Sequence, residues 1–302
     1  ASAGFTNRYI QYLEPVICAF VEQLLDNVDG EFDLIKDLAE PLPAMVIAEM
    51  MGVPANERHY FLDWSHDLTG ATIVSRPDLI RKASVAEREM RRYLHMLVEQ
   101  KRTQPADDFI SRLVQAEVEH DQLTRDEVVS TCILLLSAGH ETTTRLIGNG
   151  LYTLFRHPEQ LQQLRDDRSL MENAIEEMLR YEPPVQMTIR FLARDLEFCS
   201  HRMKAGQMVL VNLAAANRDP HANPDPDTFD ITRPSVNHIA FGYGIHLCLG
   251  LSLARLEARI VFNSLLDRFP DLACAETDPS WQGNPFFRGL DRLQVRTTSG
   301  PT

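Results

Sequence analysis

Residues 241–250 read FGYGIHLCLG, and an apolar, helix-like run follows over Leu249–Phe269. The three glycines of this stretch allow tight turns and let a flat, bulky group approach the backbone closely. Cys248 stands where the helix begins, and a helix start carries unpaired N–H groups and about half a positive charge. The stretch therefore predicts a lowered pKa for the thiol and a thiolate that is presented from a loop.

A nucleophilic cysteine would also favour a helix start, but it needs a base within reach. His246 is two residues from Cys248, and neighbours at this spacing in an irregular loop often point apart. The loop by itself leaves two interpretations open, a nucleophile and a thiolate ligand beneath a large group.

The loop resembles the haem-binding signature of the cytochrome P-450 monooxygenases, F-x-x-G-x-H-x-C-x-G, at every fixed position. This resemblance implies that Cys248 is the axial thiolate ligand of haem iron and that His246 pairs with a haem propionate. It also implies that the haem lies against other residues of the loop and of a long helix: Phe241, Gly242, Gly250, Ala138 and Gly139.

A second motif lies in the middle of that long predicted helix. Thr124-Arg-Asp-Glu127 is a capping box, and the apolar pattern after it continues to about Phe155. Residues 138–143 read AGHETT and resemble the family's oxygen-activation motif. The resemblance implies that Glu141 and Thr142 form an acid–alcohol pair that delivers protons to bound dioxygen.

The AGHETT segment allows two other interpretations. Taken alone, a threonine run with one glycine is only a weak point in a helix. A zinc-protease motif H-E-x-x-H would need a second histidine at position 144, which is Thr144. With the family resemblance, Gly139 is expected to remove a side chain where the helix passes close to the haem.

The third motif is Glu177-Met-Leu-Arg180, which matches the family's E-x-x-R and precedes Pro183-Pro184. Side chains at i and i+3 share a helix face and can pair. Arg233 matches the third member of the family's Glu-Arg-Arg cluster, which by resemblance holds an irregular loop beneath the haem. Arg190 lies where the family places a propionate-binding arginine, and an ordinary surface arginine is the alternative.

The hydrophobic pattern predicts a mainly α chain with a small β portion, helical up to about residue 180 and mixed after it. The resemblance implies one haem-thiolate domain over residues 1–302, with the cytochrome P-450 fold lacking its N-terminal part. The predicted elements are helices at Thr6–Asn27, Ile35–Met51 and Ser84–Thr103, a helix opened by a capping box at Ser169–Glu172, strands at Thr188–Phe198 and Gln207–Leu213, and an irregular segment at Ala216–Pro234.

Composition excludes several classes of protein. The formal net charge of −13 over 302 residues argues against nucleic acid as the main partner. No apolar run approaches the roughly 18 to 20 residues of a membrane span. The five cysteines are scattered and form no C-x-x-C pair, which favours a reducing cytoplasm over a disulfide framework or a structural zinc site.

The resemblance implies a soluble, bacterial-type monooxygenase that inserts one oxygen atom of O2 into an apolar small molecule. Electrons are expected from a ferredoxin- or flavodoxin-type protein, which would dock on a basic stripe made by Arg255 and Arg259. Two solvated arginines with no partner are the alternative. By family position, the walls of the substrate pocket are expected to include Leu134, Leu135, Ala138, Val185, Met187, Ile189, Phe286 and Phe287, all of which are also plausible core residues.

Two alternatives to this function remain open. Family members carry N-terminal helices ahead of the part that matches here, so a truncated, non-catalytic haem-binding or partner protein is one alternative. The retained cysteine and acid–alcohol pair argue against it. A haem-thiolate peroxygenase or isomerase is the other alternative, and it would tend to lose Glu141 and Thr142.

Overall fold

The structure is a computed structural model that describes residues 5, 7–70, 77–115, 123–276 and 278–297. Helices dominate the first two thirds of the chain, and they continue into its last third. Their bounds are α1 Asn7–Leu25, α2 Pro41–Met50, α3 Arg58–Gly70, α4 Pro77–Thr103, α5 Phe109–Gln115, α6 Arg125–Arg156, α7 Pro158–Asp166, α8 Met171–Tyr181, α9 Leu213–Asn217 and α10 Leu251–Arg268.

The β portion is small and antiparallel. One sheet has the strand order β1-β7-β6, and two further pairs join β2 to β5 and β3 to β4. The strands are β1 Glu31–Asp33, β2 Met187–Phe191, β3 Leu196–Phe198, β4 His201–Met203, β5 Met208–Asn212, β6 Ala273–Cys274 and β7 Gln294–Arg296. The fold is therefore mainly helical with a small β portion, as the sequence predicts.

Helix α6 is the central element of the fold. Its 32 residues span about 48 Å at about 1.5 Å per residue. The predicted capping box is present: Glu127 N–H donates to Thr124 Oγ1 at 3.3 Å, and Thr124 N–H donates to the Glu127 carboxylate at 2.7 Å. The helix ends at Arg156, just before Pro158.

Two apolar clusters meet along α6. The first core joins the C-terminal half of α6 to α1, α7, α8 and α10. The second core joins its N-terminal half to α3, α4, α5 and the end of α2. Because α6 belongs to both cores, the AGHETT segment in its middle is held from both ends. No helix in the described part of the chain has the length and apolar character needed to cross a membrane.

The predicted continuous helix over Ile35–Met51 is wrong. A π-helical turn covers Ile35–Ala39, and the α-helix begins only at Pro41. Pro43 has no N–H, so the Ala39 carbonyl lacks its i+4 helical donor. Thr144 Oγ1 on α6 donates to that carbonyl at 3.0 Å instead. Pro41 and Pro43 thus interrupt the helix, and the hydrogen bond from Thr144 joins this point to α6.

The predicted capping box at Ser169 is also wrong. Ser169 lies within a 3₁₀ turn over Arg168–Leu170, and α8 begins at Met171. Asp167 accepts hydrogen bonds from the Ser169 N–H at 2.9 Å and from its hydroxyl at 2.6 Å. The Ser169 hydroxyl is therefore a donor to Asp167 rather than a cap for the helix.

The remaining elements differ from the prediction mainly at their ends. Helix α4 starts at Pro77, seven residues before the predicted Ser84, because proline is well suited to the first turn of a helix. The stretch Thr188–Phe198 forms two strands rather than one. The predicted first residue of the first helix, Thr6, lies outside the described residues.

Candidate active site

The loop before α10 holds Cys248 on a defined backbone. Gly242 and Gly244 have φ angles of 74° and 67°, in the left-handed region that other residues rarely adopt. The Cys248 N–H donates to the Phe241 carbonyl at 2.9 Å, and the Leu247 N–H donates to the Gly244 carbonyl at 3.0 Å. These bonds close the loop into a turn that leads directly into α10.

Cys248 is exposed, although nearby protein atoms partly desolvate the sulfur. Desolvation by these atoms raises the pKa of the thiol, while a hydrogen bond from the Gly250 backbone and the charge of Arg255 lower it. Desolvation is the larger effect. The predicted lowering of this pKa is therefore wrong for the protein alone, because the helix start does not outweigh the desolvation.

Helix α6 presents the candidate acid–alcohol pair. Thr142 Oγ1 donates to the Ala138 carbonyl at 2.8 Å, which leaves the lone pairs of the hydroxyl oxygen available to accept a hydrogen bond. Leu134, one turn before Ala138, is 65% exposed, and Ala138 is exposed as well. This side of α6 is an open apolar surface with Thr142 at one end.

The role predicted for Gly139 is not the one that the structure gives it. A Cβ at Gly139 would lie 2.8 Å from Cδ1 of Ile47, whose side chain belongs to the second core. The missing side chain thus makes room for α2. The prediction that Gly139 clears space for a flat ligand was wrong because it could not identify which neighbour faces this side of α6.

His140 is a structural histidine that links three elements. Its ring nitrogens contact Ser65 Oγ on α3 and, at 2.7 Å, the carbonyl oxygen of Glu40 at the start of α2. The ring is 2% exposed, and burial lowers the pKa of the imidazole. Both nitrogens are occupied, so His140 is not available as a metal ligand.

Glu141 forms an ion pair with Arg145, one turn further along α6. Both side chains are largely buried, at 13% and 5% exposed. Arg145 belongs to none of the sequence motifs described above. Its i+4 spacing from Glu141 was the available signal, because opposite charges at that spacing meet on one helix face.

The structure brings Glu177, Arg180 and Arg233 together in one buried cluster. The Glu177 carboxylate accepts bonds from Arg180 at 2.7 and 2.8 Å and from Arg233 at 3.0 Å. The two arginines then donate to the backbone of the irregular loop, for example to the Pro226 carbonyl at 2.7 Å and the Pro224 carbonyl at 2.6 Å. The cluster ties this loop to α8.

Candidate pocket residues from distant parts of the chain also meet. Val185 forms a β-bridge with Phe287, and the Gln186 N–H donates to the Phe286 carbonyl at 2.8 Å. Met187 and Phe287 line one cavity of about 300 Å³. This cavity lies between the start of β2 and the turn before Phe286.

The other candidate pocket residues have different surroundings. Ile189 lies on β2 opposite Leu210 of β5 and is half-buried. Leu135 packs against the second core, which favours a core role over a pocket role. Leu134 is the α6 residue that faces the open side.

Comparison with known proteins was decisive. A sequence model described as Cytochrome P450 matches residues 5–285. The chain is 45% identical over 298 residues to cytochrome P450 107B1 of Saccharopolyspora erythraea, covering 97% of this chain and 72% of that protein.

The chain belongs to the cytochrome P450 family.

Solved structures agree with this assignment. P450BioI in complex with a hexadec-9Z-enoic acid ligated acyl carrier protein has a TM-score of 0.92 at 40% identity, covering 98% of this chain and 77% of that one. CYP109E1 from Bacillus megaterium in complex with testosterone has a TM-score of 0.94 at 37% identity, covering 99% and 82%. The chain thus has the P450 fold and belongs to a family of monooxygenases that act on small molecules.

Cytochromes P450 hold haem on a cysteine thiolate, and the residues around Cys248 fit such a group. A Cβ at Gly250 would meet no protein atom within 4 Å, so its missing side chain is not required by protein contacts. Among the described residues, His246 and Arg190 form no ion pair with a carboxylate, and both are exposed. The Arg190 guanidinium, the His246 imidazole and an exposed thiol suit a porphyrin with two propionates.

Exposed apolar side chains complete this fit. They extend along the cysteine loop, where a flat apolar group would cover them, and they would otherwise form an unusual surface in water. These side chains are Tyr243, Ile245 and Leu247, at 86%, 97% and 52% exposed.

The predicted basic stripe on α10 is wrong as an open surface. Arg255 donates to Glu176 at 2.6 and 2.7 Å, and Arg259 donates to Glu14 at 2.8 Å. Burial raises the pKa of Glu176, but hydrogen bonds from Arg255 and His238 outweigh it and bring the pKa to about 2. Both arginines are therefore paired with carboxylates. These ion pairs line a groove of about 790 Å³ between α1, α8 and α10.

Proposed function

We propose that this P450 chain binds haem through Cys248 and hydroxylates an apolar small molecule. The observation that carries the proposal is the glycine-turned loop that presents Cys248 at the start of α10, together with exposed apolar side chains. Haem, when bound through a cysteine thiolate, supplies the activation and cleavage of dioxygen.

The overall reaction consumes one substrate C–H bond, O2, two electrons and two protons, and it gives the alcohol and water. Side chains of this protein would deliver the two protons. We assign Thr142 to the delivery step because its hydroxyl is anchored to the helix and still has lone pairs to accept a bond. Glu141, the adjacent carboxylate, would accept a proton from water and pass it on to this step.

The substrate class is proposed from the pocket residues and from the relatives. The open side of α6 exposes Leu134 and Ala138. The 300 Å³ cavity combines five apolar residues with the polar or charged residues Gln186, Asn212, Gln282, Asn284 and Arg288. Relatives of this fold are described in complex with testosterone and with an acyl carrier protein carrying hexadec-9Z-enoic acid. We therefore propose a large apolar substrate, such as a steroid or a fatty-acyl chain.

The two electrons require a redox partner, which we propose to be of the ferredoxin or flavodoxin type. We also propose a reducing, cytoplasmic setting, which is consistent with the five free cysteine thiols. The arginines of α10 would contribute to docking only after partial release from their carboxylates.

A ligand-binding experiment tests the proposal. Haem-reconstituted protein, reduced and exposed to carbon monoxide, should show the red-shifted Soret band of thiolate-ligated haem. The Cys248→Ser variant should lose this band, and the matched variant Cys18→Ser, at an exposed position on α1, should keep it. Titration with testosterone and with hexadec-9Z-enoic acid should shift the Soret band of the oxidised protein. A Cys248→Ser variant with an unchanged carbon monoxide spectrum would overturn the assignment.

A further inference from the structure

Arg145 is a buried cation with a single anionic partner. Its side chain is 5% exposed, and among the described residues its only ion pair is with Glu141. The Nε and Nη1 atoms are buried and have no hydrogen-bond partner in the described protein. The charge of this guanidinium is therefore balanced by Glu141 alone.

The surrounding residues form a slot that fits this arginine. The guanidinium lies over the ring of Phe287, 5.4 Å from its centroid. Gly289 packs against the side chain so closely that a Cβ there would lie 2.6 Å from Arg145 Cγ. Because Phe287 and Gly289 pack against this side chain, the guanidinium has little room to follow the carboxylate of Glu141 if that carboxylate turns away.

We propose that Arg145 is a positioning residue for oxygen activation, one that holds in place the carboxylate of Glu141, the residue before Thr142 in the chain. The inference rests on the proposed role of Glu141 in proton delivery. Proton transfer requires donor and acceptor atoms within hydrogen-bond reach. A carboxylate that moves out of this reach can no longer transfer the proton. A buried arginine without its counter-ion is strongly disfavoured, and this restrains Glu141 from leaving the pair.

The consequence is chemical rather than structural. Electrons that reach dioxygen without timely protons at the right atom are released with O2 and two protons as hydrogen peroxide. Loss of Arg145 should therefore divert electrons to peroxide and leave the haem site intact. If Arg145 had only a structural role, its loss would instead lower the melting temperature or the haem content.

The test uses haem-loaded protein, a surrogate ferredoxin with its reductase, NADPH, and testosterone as the probe substrate. Hydrogen peroxide released and testosterone product formed per NADPH are measured in H2O and in D2O. The Arg145→Met variant should lower product per NADPH on the order of tenfold and change the solvent isotope effect, with an unchanged carbon monoxide spectrum. Arg145→Lys, which keeps the charge, should restore part of the loss.

Two further variants keep the test decisive. Gly289→Ala displaces the arginine without removing its charge, and it should raise peroxide release even if Arg145→Met folds poorly. Arg91→Met is the matched control, because Arg91 forms an i,i+4 pair with Glu87 at 2.6 Å on the half-exposed face of α4. It should leave every readout unchanged.

The outcomes separate this inference from the proposed function. If Glu141→Gln raises peroxide release and Arg145→Met adds nothing to it in the double variant, Arg145 acts through Glu141 as proposed. If Glu141→Gln raises peroxide release but neither Arg145→Met nor Gly289→Ala does, the positioning role is overturned alone. If Glu141→Gln has no effect, the role of Glu141 fails and this inference fails with it. Independent, multiplying effects of the two variants would also overturn it.

Discussion

Glu177 accepts a hydrogen bond from Arg233 across 56 residues of the chain, with 3.0 Å between Oε1 and Nε. The same carboxylate accepts two bonds from Arg180 and one from the Asp230 N–H at 2.9 Å. Glu177 and Arg180 are fully buried. One carboxylate therefore organises two guanidiniums that hold the backbone of the irregular loop.

Removal of the Glu177 carboxylate should be severely destabilising. Glu177→Ala leaves two buried guanidiniums without their anion, at a cost of about 3 to 5 kcal/mol. We expect little haem-loaded protein, measured by the haem-to-protein absorbance ratio and by denaturant unfolding. Glu87→Ala is the control, because its partly exposed pair with Arg91 should contribute less than about 1 kcal/mol. Equal stability of the two variants would contradict the structural role of the cluster.

Gly139 should behave as a packing residue of α2 and α6. Gly139→Ala gains up to about 1 kcal/mol of helix propensity but meets Ile47 Cδ1, so the single variant should be neutral or slightly destabilised. In an Ile47→Val background the obstructing atom is absent, and the same change should stabilise the protein. A double-mutant cycle by denaturant unfolding measures this coupling. A loss of haem binding in both backgrounds would instead support clearance of a ligand.

The sequence predicted the local features of the site well. The turn at Cys248, the capping box at Thr124 and the pairing of Glu177 with Arg180 each depend on residues a few positions apart, and their spacing is visible in the sequence. The assignment of Arg233 to the same cluster required the family resemblance, since no spacing rule joins residues 56 positions apart.

The features that were missed depend on neighbours from other elements. Spacing identified Gly139 as a gap but could not show that Ile47 fills it. It identified Arg255 as a surface cation but could not show that Glu176 on α8 neutralises it. The lowered pKa of the Cys248 thiol was predicted from the helix start alone, and desolvation by nearby protein atoms reverses the direction of the shift.

Glu257 on α10 should make the protein less stable as the pH rises. Burial raises the pKa of this carboxyl to about 8, and Oε2 has no partner among the described residues. The unfolded chain ionises near its ordinary pKa of about 4.3, so the folded state alone keeps the proton between these values. Stability should therefore fall by about 3 to 5 kcal/mol between about pH 4.5 and pH 8.

The glutamine side chain of the Glu257→Gln variant cannot ionise. The stability of this variant should therefore not fall in this way between about pH 4.5 and pH 8. Urea unfolding at several pH values compares it with the parent protein and with Asp267→Asn, a change on the exposed side of the same helix. The free energy of unfolding of Asp267→Asn should change with pH in the same way as that of the parent protein. If the free energy of unfolding of Glu257→Gln also follows the parent protein, the Glu257 carboxyl does not stay protonated in the folded state.

Thr142 should support proton delivery without contributing to haem binding. Its hydroxyl donates to the carbonyl four residues earlier, and Thr131 on the same helix makes the same kind of bond to the Glu127 carbonyl at 2.7 Å. Thr131→Ala is thus a control for the loss of a helix back-bond alone. Thr142→Ala should keep the carbon monoxide spectrum but release more peroxide per NADPH and form at least about tenfold less product. Thr142→Ser, which retains the hydroxyl, should recover much of the coupling. If Thr142→Ala and Thr131→Ala release the same amount of peroxide, the hydroxyl of Thr142 has no role beyond the helix bond.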